Sequence, residues 1–162
     1  MSLKDDLTTR AHELRDVAVA RLRDANLPLL AQVVEETIIG WSDTMGVCAG
    51  RAHVRVIPGV SRRSTVTLSW TIFSQPENEW GFEETVFHEL AHVARLRMNH
   101  DAVWKELAIL LGSTGRRLHT LAVQRPLKLN GTPKNSTHGK LLRYLHLKEK
   151  LRILTNQIRG EM

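Results

Sequence analysis

The stretch Thr85–Leu107, TVFHELAHVARLRMNHDAVWKEL, places three histidines within thirteen residues, at 88, 92 and 100, with Glu89 directly after the first. Just upstream stands Phe82, and with Val86, Leu90 and Val93 it follows 4, 4, 3 spacing, the signature of a helix with one apolar stripe. The spacing predicts a helix from near Trp80 to about Arg97, ended by Asn99. A second helix, Asp101 to Leu111, should close at Gly112. His88-Glu89-Leu90-Ala91-His92 is therefore H-E-x-x-H on a helix. Residues i and i+4 lie one turn apart on one face, so His88 and His92 can reach one Zn²⁺ at about 2.0–2.1 Å. Glu89 sits about 100° round the helix from His88, near a water at the metal without being a ligand, which is the place of a general base. Catalytic zinc takes three protein ligands and keeps one position open. His100, just past the helix end, is the expected third. Asp101 beside it reads as an alternative ligand, as an acceptor that holds an imidazole in one tautomer, or as the N-cap of the next helix. Glu106 is the other rival third ligand, though it reads more readily as a solvated helix residue. Two ionisable rings and a carboxylate along a buried stripe would be costly without a metal or hydrogen bonds to satisfy them.

Outward from this segment the chain alternates between element types. Leu3–Asp24 reads as a helix on Leu7, Leu14, Val17 and Leu22, and Asn26-Leu27-Pro28 stops it. Leu29–Ile39 suits a helix or a buried strand, with helix preferred, and Gly40, Gly46 and Gly50 mark a loop after it. RAHVRVIPG, from Arg51, alternates with period two: Ala52, Val54 and Val56 on one face, Arg51, His53 and Arg55 on the other. TVTLSW alternates again through Val66, Leu68 and Trp70, so the two runs form a β-hairpin with Arg62 and Arg63 in its loop, read either as phosphate contacts or as a solvated turn. The order of helix, strands and helices gives an α+β fold, mainly helical, with a small antiparallel sheet or hairpin packed beside the H-E-x-x-H helix. Residues 1–125 form one domain. Residues 126–162 hold a polar, basic linker and a C-terminal amphipathic helix, Lys140–Ile158, whose Tyr144, Leu147, Leu151, Leu154 and Ile158 recur at 3, 4, 3, 4. Two heptads are short for a free coiled coil, so that stripe packs on its own domain and a monomer is favoured.

Composition narrows the function classes. The chain has 162 residues, 42% hydrophobic, and a formal charge of +6. No apolar run approaches the roughly 20 residues of a membrane span, and the charged N-terminus lacks the apolar core of a secretory signal. Cys48 is the only cysteine, which excludes an internal disulfide and points to a reducing compartment, the cytoplasm. From Arg116 onward there are 11 Lys and Arg against 2 acidic residues, whereas the first 115 residues hold 12 against 15. Such a basic third suits an anionic partner, and nucleic acid is the usual one. Arg116, Arg117, Lys128, Lys134, Lys140 and Arg143 are its candidate phosphate contacts. Trp41, Trp70, Trp80 and Trp104 are scattered and read as core or rim aromatics rather than base-stacking platforms.

Five stretches together resemble the SprT-like family, the metalloprotease domains that include the Spartan proteases. GVCAGRAHV (46–54) is similar to its small-residue turn into the first strand, and STVTLSWTIF (64–73) to the strand before its active-site helix. EETVFHELAH (83–92), HDAVWKELAILLG (100–112) and RRLHTL (116–121) resemble the segments that follow. The resemblance implies a zincin-like domain binding one Zn²⁺ through His88, His92 and His100, with Glu89 as the catalytic base and Trp104 as a packing residue. It implies a zinc-dependent protease acting on proteins bound or crosslinked to DNA, hence a DNA-associated location. The family usually has a longer loop between its second and third histidines; here only Val93 to Asn99 intervene, and Asp101 takes the place of a common glycine. Many members also end in a Cys₄ zinc ribbon, which Cys48 alone cannot build, and the basic C-terminal third would take over its role as the DNA contact. Two other classes fit parts of the pattern. One is a nucleic-acid-binding protein with a non-catalytic metal, which leaves Glu89 unexplained. The other is a three-histidine metal-dependent endoribonuclease, whose motif lacks that glutamate. In the protease reading the substrate strand adds to an exposed strand edge near TVTLSW. Tyr144, His119 or an arginine would stabilise the oxyanion.

Overall fold

The computed structural model describes residues 2–45, 48–57, 61–96 and 99–116, apart from the side chains at 56, 57, 61 and 62. The chain divides after Leu121 into two units, and the described residues all belong to the first. The linker and helix expected beyond residue 125 lie outside them.

Helix α1 spans Leu3–Asp24 and opens with a reciprocal cap. Ser2 accepts from the Asp5 N–H through its side chain, while the Asp5 carboxylate accepts from the Ser2 N–H at 3.0 Å. Leu7, Ala11, Ala18, Val19 and Leu22 bury its inner face. Helix α2 is Pro28–Glu35, started by proline in its first turn, where the missing N–H costs nothing.

Here the expected helix to Ile39 gives way. Strand β1, Ile38–Ser42, begins three residues after α2 ends and takes in Gly40, which was assigned to a loop. The consecutive β-branched residues Thr37, Ile38 and Ile39 favour the extended state, and a partner strand completes it. β1 lies parallel to β3, Ser61–Ser69, with Ile39 beside Val66 and Trp41 beside Leu68. Strand β2, Gly50–Ile57, forms the expected hairpin with β3, Ala52 opposite Val66, but Arg62 and Arg63, expected in its loop, belong to β3 itself, paired with Val56 and Arg55. The order is β1-β3-β2, so the sheet is mixed rather than purely antiparallel, and β3, which carries TVTLSW, is its central strand.

Trp70 does not extend β3. The Ser69 side chain accepts from the Ile72 N–H and starts a four-residue helix, α3, Trp70–Phe73. A 3-10 turn, Pro76–Gly81, leads into α4, Phe82–Arg95. α4 is the central helix: every residue from Thr85 to Ala94 is buried. It ends earlier than expected, because Leu96 takes the left-handed conformation, φ 61°, as its C-cap. α5, Ala102–Leu111, is capped by Asp101 and closed by Gly112 at φ 108°, a conformation that favours glycine. The inner face of the sheet supplies Ile39, Ala52, Val66 and Leu68 to the same core as Val86, Leu90 and Val93 of α4. No helix among the described residues is long and apolar enough to cross a membrane.

Candidate metal centre

Two successive turns of α4 carry His88 and His92 toward α5, and the left-handed turn at Leu96 redirects the chain so that His100 returns to face them. The three rings converge. His100 Nε2 lies 3.1 Å from His88 Nε2 and 3.1 Å from His92 Nε2. His88 and His92 are buried and His100 is half-buried. Nitrogens held about 2.0–2.1 Å from one tetrahedral ion stand about 3.3 Å apart, so the donor set fits a single small divalent cation. Three histidines are a donor set also found at catalytic zinc, where a fourth position is left to water or substrate.

Trp104, on α5, forms the floor. Its ring centroid lies 4.7 Å from that of His88, 5.2 Å from His92 and 4.4 Å from His100. It is 1% exposed, so the position read as packing is also the surface against which all three imidazoles are ordered. Asp101 is not one of the converging ligands. Its carboxylate accepts from the Trp104 N–H at 2.8 Å, from Arg95 at 3.0 and 3.3 Å, and from Asn99 at 3.2 Å. Arg95 holds it down at a pKa of about 2, with the Trp104 N–H adding to the effect. Asp101 thus fixes the start of α5 immediately after His100.

Glu89 leaves the helix on the side of β2. Its Oε2 accepts the Ala52 N–H at 2.7 Å, and the residue is only 7% exposed. Burial pushes the carboxyl up to about 7, against the Ala52 N–H and the positive charge of Arg51, which act to lower it. A base with a pKa near neutrality is matched to proton transfer at physiological pH. The sign for stability follows. A carboxyl whose pKa is higher in the folded chain than its ordinary 4.5 favours folding fully below about pH 4.5, and that contribution is lost as pH rises through about 7. Metal-free protein with Glu89→Gln should therefore melt above metal-free wild type at pH 8, and the gap should close by pH 4.5. Thermal melts at the two pH values check this; a gap of equal size at both would refute it.

The close approach of β2 to α4 depends on Gly50, which sequence reasoning treated only as a loop marker. A Cβ there would lie 2.7 Å from Glu89 Cγ and 2.9 Å from Thr85 Cγ2. Gly50→Ala must push the carboxylate or the strand aside and strain the Ala52 contact. Displacements near 1 Å in a catalytic group can cost about 100-fold. Gly50→Ala should keep its metal and lose about 10- to 100-fold in hydrolysis; unchanged turnover would show that Glu89 does not need this contact.

The remaining candidates divide. Arg116 is exposed at the end of the described segment, while Arg117, Lys128, Lys134, Lys140 and Arg143, with His119 and Tyr144, lie outside the described residues. Trp41 and Trp70 are half-buried and meet edge to face at 5.6 Å, whereas Trp80 is 64% exposed.

No curated protein and no solved structure matches the chain. A family model does: the SprT-like family matches residues 20–124, from the last turn of α1 through α5 and so across every residue of the histidine centre. With well over half of its length covered, the chain belongs to the SprT-like family, a family of metalloprotease-like domains that accounts for a histidine triad able to hold a cation with a buried carboxyl group beside it.

Proposed function

We propose that the protein is a zinc-dependent metallopeptidase that hydrolyses peptide bonds of proteins bound or crosslinked to DNA. The observation that carries the hydrolytic reading is the pairing of three convergent imidazole nitrogens with a buried carboxylate held 2.7 Å from a strand N–H. His88, His92 and His100 would hold the ion. Zinc in that donor set supplies Lewis acidity to the scissile carbonyl and to the attacking water. Glu89 accepts the proton of that water and delivers it to the leaving amine. The Ala52 N–H holds one carboxylate oxygen through both steps, which fixes the direction of the other. Strand addition of the substrate, first placed near TVTLSW, moves to a different strand. β3 is hydrogen-bonded on both sides, and β2 is the edge strand that faces Glu89, so an extended peptide would dock along β2. The DNA part of the reading rests on the basic residues from Arg116 onward.

The test is a digestion of casein and histone by zinc-loaded protein, with and without single-stranded DNA, beside His100→Ala. Wild type should bind one zinc, lose activity to a chelator and regain it on adding zinc. His100→Ala should lose both metal and activity. Cleavage of RNA but never of protein would replace this reading with the endoribonuclease one. Activity indifferent to DNA and to salt would remove its DNA part.

A further inference from the structure

The charge of the body is unevenly placed. Between Ile38 and Ser69 there are four arginines, no lysine and a single acidic residue, Asp43, although the first 115 residues as a whole are acidic. Period-two alternation turns Ala52 toward the core and Arg51, His53 and Arg55 to the opposite face of β2, where all three are exposed. On β3, Thr67, Thr65 and Arg63 stand directly opposite them in that order. The outer face of the hairpin is thus a ladder: Arg51 beside Thr67, His53 beside Thr65, Arg55 beside Arg63.

Two features set this ladder apart from an ordinary solvated strand. Like charges directly opposite one another on a sheet are destabilising, and Arg55 with Arg63 is such a pair. Four other arginines have carboxylate partners, Arg10 with Glu79 and Glu83, Arg15 with Asp16, Arg23 with Glu35 and Arg95 with Asp101, while Arg21 donates to the Leu111 carbonyl. Among the described residues, no carboxylate forms an ion pair with Arg51, Arg55 or Arg63. A face that keeps three exposed guanidinium groups with no ion-paired carboxylate among the described residues is complementary to a polyanion.

The spacing and residue type select which polyanion. Alternate residues of a strand repeat every 6.6–6.8 Å or so, so Arg51 and Arg55 stand about 13 Å apart along β2 with Arg63 across from Arg55, a span of about two phosphate steps of an extended nucleic-acid strand. Guanidinium is planar and donates in a fork that matches two phosphate oxygens, which an ammonium does not. We infer that the outer face of β2 and β3 is a nucleic-acid interface, in which Arg51, Arg55 and Arg63 hold the sugar–phosphate backbone of a single strand. None of the basic residues beyond Arg116 is needed for it, and it does not require the protein to be a hydrolase. Arg51 lies near enough to Glu89 for its charge to act on that carboxyl, so the ladder ends beside the candidate centre.

The experiment uses the full chain and a fluorescein-labelled thymidine 20-mer, with anisotropy followed from 50 to 200 mM KCl. Each phosphate contact to a single strand adds about 0.7 to the slope of log K against log salt. Arg55→Gln with Arg63→Gln should weaken binding at least tenfold at 100 mM and reduce the slope by about 1.4. The melting temperature should hold or rise, because the opposed charges are gone. Arg55→Lys with Arg63→Lys should restore the slope and only part of the affinity, since charge returns without the fork. The inference is overturned if wild type does not bind the oligonucleotide, or if the glutamine pair matches wild type in affinity and slope. It is also overturned if wild type prefers phosphatidylglycerol vesicles or polyglutamate to the oligonucleotide.

Discussion

Glu89→Gln should leave one zinc bound per chain and lower peptide hydrolysis by about 10²- to 10⁴-fold, the usual contribution of a positioned general base. The substitution is conservative in shape. A glutamine carbonyl can still accept the Ala52 N–H that now reaches Glu89 Oε2 at 2.7 Å, and none of the three converging nitrogens is touched. Proton acceptance alone is removed. Metal content measured beside initial rates on casein separates the cases. A variant that keeps its zinc and retains activity within threefold of wild type would remove Glu89 from the chemistry. A variant that loses its zinc would show that the carboxylate builds the site rather than works in it.

Trp104→Ala should cost about 3–5 kcal/mol, the range for truncating a buried aromatic, against a total stability of about 5–15 kcal/mol for a domain of ordinary size. Its effect on the metal should exceed its effect on the fold. Three imidazoles rest on this ring at 4.4–5.2 Å, and without it each regains rotational freedom that the ion must then remove. Leu111→Ala is the control: the residue is fully buried at the far end of the same helix. Denaturation and zinc competition on both variants decide the matter. Trp104→Ala should bind zinc at least tenfold more weakly than Leu111→Ala at comparable stability, and equal affinities would reduce Trp104 to core packing. Trp104→Phe should lie close to wild type, because it keeps a ring on the floor and removes an Nε1–H that is buried without an acceptor among the described residues.

Much of the site could be read before any fold was known. The i, i+4 spacing of His88 and His92 is a property of the helix itself, and the apolar period at Phe82, Val86, Leu90 and Val93 says that the helix forms. His100 was legible as the preferred third ligand, since zinc favours imidazole and only a short turn intervenes. Asp101 was not settled by sequence: cap, tautomer holder and ligand use the same carboxylate, and the choice was made by Arg95 six residues earlier, which only the end of α4 brings alongside. Gly50 and the Ala52 N–H left no signal at all. A backbone donor has no residue type, and a glycine needed for close approach looks the same as one in a loop.

What the sequence alone determined are the features whose physics is local. They are the extent of α1, the β2–β3 hairpin, the helical placement of His88, Glu89 and His92, and the alternation that sorts Ala52 and Val54 from Arg51, His53 and Arg55. The tertiary structure alone decided whatever depends on pairing between distant segments. Ile38 and Ile39 became strand rather than helix because β3 lay open to them, and β3 became central rather than an edge for the same reason. The Glu89 carboxyl acquired its raised pKa because β2 closes over it. Local periodicity is set by bonds along the chain, whereas register, burial and the dielectric around a charge are set by neighbours that the sequence does not name.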